Sequence, residues 1–334
     1  MRVKIILNVL LVFFCFTARA QAPDISGIYS SLSHSPEGSP TLYVFKDGFY
    51  AIPYFGGVQF GTWEIENNTQ VVFRPEHVKE RFAVYARYNP QLQGSTRVFF
   101  SGFEHGENYF GIRTLGQASP NLNRVFNEDA NCTSWPFVSL FPRTQAQSLL
   151  MQSKPRDDTE TPQAFEFIPK DGDNDFVVQH FKSDRDNQPF YIEMRGGKLQ
   201  LEMRGFSSQA NKKRLAKLSE EDKKFLQLLR KQVGKGLPQQ LLFNPSYKQF
   251  IDGQEDVFGE ASRINLSKYH FDLELNAYVL KSVENRQTLA DSSDSVHDKR
   301  IIYAFERLQK GSLIKSKLDI ISSPTLFHFE CEKP

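Results

Sequence analysis

The stretch TLYVFKDGFYAIPYFGGVQFGTWEIENNTQVVF, residues 41–73, decides the fold class. It breaks into four runs rich in β-branched and aromatic residues: Thr41 to Phe45, Phe49 to Tyr54, Val58 to Ile65 and Val71 to Phe73. Asp47-Gly48, Phe55-Gly56-Gly57 and Asn67-Asn68 punctuate them. Such side chains suit a pleated, half-buried surface, and each run has the length of a strand. Asp-Gly between apolar runs predicts a hairpin with a type I′ turn, which needs positive φ at both central residues. The segment reads as an antiparallel meander.

Upstream, Ile28-Tyr29 adds a strand. Downstream, Arg81 to Tyr88, Thr96 to Phe103 and Tyr109 to Leu115 add three more, with Asn89-Pro90 and His105-Gly106 as breakers. Eight short strands at close spacing predict a first domain over residues 21–116, an antiparallel barrel or sandwich. Gly27-Ile28-Tyr29, the Lys46-Asp47-Gly48 hairpin and Gly61-Thr62-Trp63-Glu64 give residues 24–115 a resemblance to lipocalin-like β proteins of bacterial envelopes. That resemblance implies a closed barrel with an apolar ligand inside. Trp63 reads as a core plug rather than a ligand contact, because tryptophan is usually well buried.

Residues 117–163 read as a connector: Ala118-Ser119-Pro120-Asn121, Ser134-Trp135-Pro136 and Lys154-Pro155-Arg156-Asp157-Asp158 are breaker-rich, with a short helix expected at Gln145 to Gln152. Strands resume in a second domain, 164–334, at Ala164 to Ile168, Phe176 to Phe181, Phe190 to Met194 and Lys198 to Met203. A helical insertion, 209–233, interrupts it. There Ser219 supplies an N-cap, Glu220, Glu221 and Asp222 fill the first turn, Phe225, Leu228, Leu229 and Val233 recur at helical spacing, and Gly234 ends the run. The alternation from Phe271 through Leu273, Leu275 and Ala277 to Val279 predicts one half-buried strand. Arg300 to Leu308, Leu313 to Ile321 and Thr325 to Cys331 follow as further strands. The expected architecture is mainly β, two antiparallel β domains with one amphipathic helix near 220–233.

The first twenty residues predict export. Arg2 and Lys4 precede an apolar run from Ile5 to Phe16, and Ala18-Arg19-Ala20 places small residues at −3 and −1, the pattern of a secretory signal peptide cleaved near Ala20. The run is too short to span a bilayer, and no later stretch is apolar enough, so no transmembrane span is expected in the mature chain. Removing Arg2, Lys4 and Arg19 turns 41 Lys+Arg against 39 Asp+Glu into 38 against 39. No basic surplus remains to attract nucleic acid. The mature chain keeps Cys132 and Cys331, candidates for a disulfide in an oxidising compartment, secreted or periplasmic.

Motifs that carry chemistry are sparse. Asp171-Gly172-Asp173-Asn174-Asp175 alternates oxygen ligands as a calcium loop does, and Asp171, Asp173 and Asp175 are the metal candidates. Phe176 stands where an EF-hand needs glycine and Lys182 where it needs glutamate, so a solvated hairpin is the better reading. Seven histidines, His34, His77, His105, His180, His270, His297 and His328, include no pair at HExxH spacing. Glu104-His105-Gly106-Glu107 is the densest titratable cluster and reads as a turn. No nucleophile elbow, Ser-x-x-Lys pair or phosphate-binding loop is present, and no cofactor is expected. Two tryptophans are few for a carbohydrate surface built on exposed indoles. The reading is an exported, non-catalytic β protein that binds a small ligand or an envelope or extracellular partner. The alternative is an extracytoplasmic hydrolase whose site is assembled from scattered acids and histidines.

Overall fold

The structure, a computed structural model, describes residues 23–30, 41–54, 57–67, 69–104, 106–114, 121–128, 135–142, 146–154, 162–181, 188–195, 198–200, 202–203, 206–207, 211–213, 215–253, 261–283, 296–309, 311–314 and 318–330. The expected leader and its cleavage point, Cys132, Cys331, His34 and His105 lie outside them. The protein is mainly β with one α-helix. Among the described residues no helix is long and apolar enough to cross a membrane.

The described residues fall into two compact units, one drawn from residues 1–77 and 187–234, the other from 78–186 and 235–334. The chain opens in the first unit with β1 (Gly27–Ser30), β2 (Thr41–Val44), β3 (Phe49–Tyr54), β4 (Gly57–Glu66) and β5 (Gln70–Pro75). It continues in the second with β6 (Phe82–Arg87), β7 (Ser95–Ser101), β8 (Asn108–Thr114), β9 (Asn121–Arg124), β10 (Phe137–Pro142), β11 (Ala146–Ser153), β12 (Gln163–Phe167) and β13 (Asp175–His180). The first unit then resumes with β14 (Phe190–Arg195), β15 (Lys198–Gln200), β16 (Glu202–Met203), β17 (Phe206–Ser207), β18 (Asn211–Lys213) and helix α1 (Glu220–Arg230). The second closes with β19 (Gln240–Phe243), β20 (Gln249–Asp252), β21 (Ser262–Ile264), β22 (Tyr269–Asp272), β23 (Ala277–Leu280), β24 (Ile301–Arg307), β25 (Ser312–Ile314) and β26 (Asp319–Ile321).

The two compact units are each drawn from two separate segments of the chain. The meander does not run on from β5 to β6. Its edge is taken by β14, with Phe190 opposite Phe73 and Ile192 opposite Val71. The expected connector holds β9 to β11, and β11 lies between β8 and β12 in a six-stranded sheet. The helix expected at Gln145 to Gln152 is therefore a strand. Leu149, Leu150 and Met151 are all fully buried because this strand is covered on both faces, and periodicity cannot separate such a run from a buried helix.

In the first unit, eight antiparallel strands in the order β15-β14-β5-β4-β3-β2-β1-β18 form a curled half-barrel sheet. Tyr50, Phe73 and Phe190 pack within it, Tyr50 edge-on to both and Phe73 stacked on Phe190 at 5.0 Å. The β2–β3 hairpin forms as expected, but its turn is not type I′. Gly48 has φ +83° while Asp47 stays in the ordinary region, and Gly48 N–H donates to Phe45 O at 3.2 Å. Trp63 plugs the hairpin, its Nε1 donating to the carbonyls of Phe45 and Phe49 at 2.9 and 3.1 Å. Helix α1 starts where the sequence places it. Asp222 N–H donates to Ser219 Oγ at 3.0 Å, and Leu226 and Leu229 are buried. In its last turn, Arg230 lies over the rings of Phe45 and Phe49, at 4.7 and 5.0 Å, and pairs with Asp47 at 3.1 Å.

In the second unit, the six-stranded sheet β25-β12-β11-β8-β9-β26 packs against a ten-stranded sheet whose path runs β10-β7-β13-β6-β24-β19-β20-β21, with β22 and β23 attached through β24. Between them lies a core of Phe82, Val84, Val98, Phe100, Phe176 and Val178 from the larger sheet and Phe110, Leu149, Met151 and Phe167 from the smaller. Alternation turns the intervening residues, Ala83, Tyr85, Phe99 and Val177, to the other face, where they meet Leu241, Phe243, Tyr303 and Phe305.

Three further expectations change here. The strand expected from Phe271 to Val279 is a hairpin of β22 and β23. Asp272 Oδ1 accepts from the backbone of Glu274 and Leu275, Asn276 takes φ +47°, and Leu273 stands 85% exposed at the turn. Leu313 to Ile321 contains two strands, β25 and β26, rather than one. The described part of Thr325 to Cys331 forms a single bridge, Phe327 to Phe126, where Phe327 and Phe329 stack beside Phe126.

Candidate functional site

Strand register builds the site. Strand β13 lies between β6 and β7, so Asp175, its first residue, falls opposite Arg87 on one neighbour and Arg97 on the other. All three point to the face away from the sandwich core, two positions along their strands from Tyr85, Phe99 and Val177. The Asp175 side chain is 0% exposed, Arg87 2% and Arg97 18%. Arg87 Nη1 donates to Asp175 Oδ2 at 3.0 Å. Arg97 forks onto the same carboxylate, Nη2 to Oδ2 at 2.8 Å and Nε to Oδ1 at 3.1 Å. Asn89 Nδ2 and the Tyr247 hydroxyl complete its donors at 2.9 and 3.3 Å. Charge-assisted, forked bonds of this kind are the strong ones.

Backbone contacts fix the carboxylate in place. Asn89 and Asn174, both buried, bond reciprocally: Asn89 N–H donates to Asn174 Oδ1 at 2.6 Å and Asn174 Nδ2 to Asn89 O at 2.9 Å. Arg87 also donates to the carbonyls of Leu275 and Asn276 at the β22–β23 turn, and its guanidinium lies 3.9 Å from the Tyr303 ring centre. Burial lowers the pKa of Arg87 despite the Asp175 charge. For Arg97 burial acts the same way, but the hydrogen bond and charge of Asp175 outweigh it and the pKa rises. Both remain charged at neutral pH. Burial, reinforced by the negative Asp175, raises the hydroxyl of Tyr247 well above 10 and keeps it a donor.

Tyr247 links this cluster to a pocket. The sequence Asn244-Pro245-Ser246-Tyr247 makes a turn between β19 and β20, closed by Tyr247 N–H to Asn244 O at 3.0 Å. The buried Asn244 side chain accepts from the backbone of Ser246 and Lys248 and donates to the carbonyls of Val296 and Asp298. Held this way, Tyr247 takes φ +59°, a conformation uncommon for an aromatic residue. Its ring stacks on Phe99 at 4.6 Å, with Arg97 5.2 Å from its centre.

The pocket, about 360 Å³, opens beside that ring. Phe99, Phe243 and Tyr247 form its apolar backing. Trp135, 46% exposed, stands at 89° to Phe99 with centres 5.9 Å apart. Ser101 and Gln179, register partners on β7 and β13, supply a hydroxyl and an amide, and Lys248 and Gln249 add an ammonium and a second amide. Gly102 follows Ser101 at φ +78°, where an added Cβ would lie 2.3 Å from His180 O, so only glycine lets β7 and β13 meet there.

The residues singled out from the sequence are placed elsewhere or apart. Asp171 is exposed in a turn, Asp173 accepts from Lys170 N–H at 2.9 Å, and Asp175 turns inward to the arginines. Among the described residues no group of three or more His, Cys, Asp or Glu converges to hold a metal ion. Glu107 pairs with Lys154 at 2.8 Å and accepts from the Tyr109 hydroxyl. His180 packs beside Phe82 and Phe103, its Nδ1 3.0 Å from Gly102 O. What sequence reasoning missed is Arg87 and Arg97, and the pairing of Asp175 with them rather than with a metal ion. The available signal was a basic residue inside each of two apolar strand runs and an acid at the head of a third.

No family model matches the chain, and searches of curated proteins and of solved structures return no match.

Proposed function

We propose that this chain is an exported, non-catalytic β protein that binds a small ligand in the aromatic pocket of its second unit. The observation that carries the reading is Tyr247, held in a left-handed conformation by Asn244 and tied through its hydroxyl to a buried ion cluster, so that one rigid ring backs an open pocket. Strained residues persist where surrounding structure over-determines them, and such positions cluster at binding sites. The volume falls within the range of small-molecule pockets, and the lining has their usual mixture of apolar walls and few polar groups. Among the described lining residues none is a carboxylate or imidazole, and the nearby Asp175 is sequestered beneath Tyr247. This favours binding over hydrolysis. The barrel site implied by the lipocalin-like resemblance is less favoured, because Tyr50, Phe73 and Phe190 pack on one another inside the half-barrel sheet.

A thermal-shift screen of small metabolites against the full chain and Trp135→Ala tests the pocket. Hits that stabilise the native chain and lose their effect in the variant support it. Hits indifferent to Trp135 refute it. Amino-terminal sequencing of the protein recovered from its natural source tests export, with Gln21 as the expected first residue.

A further inference from the structure

Resting on that reading of the pocket, we infer that its ligand is an uncharged monosaccharide, held by its ring face and by hydroxyls on more than one side of the ring. Size comes first. About 360 Å³ lies near the lower end of ligand pockets and suits one ring with its substituents. The apolar contact comes second. Phe99, Phe243 and Tyr247 are buried, whereas Trp135 leaves nearly half its surface exposed, so the open aromatic surface of the pocket is the indole. An indole offers the apolar C–H face of a sugar ring a flat partner while leaving the ring's hydroxyls free.

The placement of the polar groups narrows the class. Ser101 and Gln179 are register partners on β7 and β13, while Gln249 comes from β20, and three strands, β6, β24 and β19, separate β13 from β20 along the sheet. Hydrogen-bonding groups therefore reach the pocket from two separate parts of the sheet. Among the described residues, none of these three side chains has a hydrogen-bond partner. Each can donate and accept. A ligand with a single polar end would leave some of them covered and unbonded, whereas hydroxyls arrayed around a ring can meet both sets in either role. Charge sets the last limit. Lys248, the one ionised side chain among the described lining residues, is already engaged, and beneath Tyr247 the Asp175 carboxylate and two guanidiniums bond to one another. An ionised ligand would lose its hydration here with no counter-charge to replace it, and a neutral polyol exchanges hydrogen bonds to water for hydrogen bonds to the wall.

Isothermal titration calorimetry of the full chain with glucose, galactose, mannose, the uronate of each, and indole tests this. At least one hexose is expected to bind, about tenfold or more tighter than its own uronate and than indole. Trp135→Ala should weaken that hexose about tenfold. Gln179→Leu and Gln249→Leu, one from each part of the sheet, should each weaken it about fivefold, the worth of one neutral hydrogen bond. A uronate binding as tightly as its hexose overturns the charge argument, and indole binding in place of the hexoses overturns the saccharide argument. A hexose indifferent to both glutamines or to Trp135 overturns its placement in this pocket, and silence from all three hexoses overturns the inference as a whole. The pocket reading then stands or falls separately on the Trp135-dependence of hits in the thermal-shift screen.

Discussion

Asp175→Asn should destabilise the second unit by about 3–5 kcal/mol. The substitution preserves side-chain shape and removes the charge shared by two guanidiniums. Arg97 is 18% exposed and can turn part of its charge to water, which recovers some of the loss. Arg87, at 2% exposure, cannot, and its remaining acceptors are the carbonyls of Leu275 and Asn276. Its Nε already has no partner among the described residues. Most of the cost is therefore the stranded Arg87 charge, which includes the loss of its charge-assisted bond to Asp175. The same substitution in an Arg87→Met background should cost markedly less, since the charge that has nowhere to go is absent. Urea unfolding followed by the fluorescence of Trp135, in chains carrying Trp63→Phe, measures both. A loss below about 1 kcal/mol, or an equal loss in the two backgrounds, would refute the assignment of Asp175 as the shared counter-charge.

Arg230→Ala should cost the first unit about 1–2 kcal/mol, the worth of two cation–π contacts at a partly exposed site, with Lys recovering part of it; the Trp63 signal in a Trp135→Phe chain reads the change, and a neutral result removes the clamp. Gly102→Ala should cost about 2–3 kcal/mol, because both its φ and its approach to His180 O exclude a Cβ; an unchanged urea midpoint contradicts this. Alkaline pH should unfold the protein through its tyrosines. Burial, with Asp24 assisting, pushes Tyr29 up to about 12; burial, partly countered by Arg307, does the same for Tyr85; burial and the Glu107 hydrogen bond do so for Tyr109. An unfolded tyrosine titrates near about 10, so between these values the folded chain holds more protons, and stability is complete below about 10 and falls as pH rises through about 12. Absorbance titration with urea midpoints at each pH checks it, and tyrosines ionising near 10 in the folded chain would count against it.

The fold was legible where interactions are local. The four runs between Thr41 and Phe73 are strands because turn residues and β-prone side chains act within a few positions, and the Ser219 cap with its acidic first turn locates α1 for the same reason. Pairing at a distance left no such mark. The edge of β5 could be filled by any apolar strand, and nothing in Val71 to Phe73 specifies Ile192 rather than Phe82 as a neighbour. Hence the pairing of β14 with β5 is not written in either run alone. Burial on both faces of β11 likewise erased the alternation that would have marked Leu149 to Met151 as a strand.

The site shows the harder limit. Alternating acids at Asp171, Asp173 and Asp175 suit an oxygen cage, but a strand has the same period of two. Once β13 begins at Asp175, that residue belongs to the sheet and its neighbours to the turn. An acid at the head of Phe176-Val177-Val178 must either stay at a wet edge or find a counter-charge, and Arg87 and Arg97 meet the same condition within their own apolar runs. Three charges in three buried runs are costly apart and tolerable together, so their juxtaposition follows from electrostatics once all three runs are read as interior strands. The pocket opens on that same face of the sheet. Tyr247 caps the cluster, Phe99 and Gln179 follow Arg97 and Asp175 along the same face, and the surface left open beside them is the one that Trp135 and Lys248 complete.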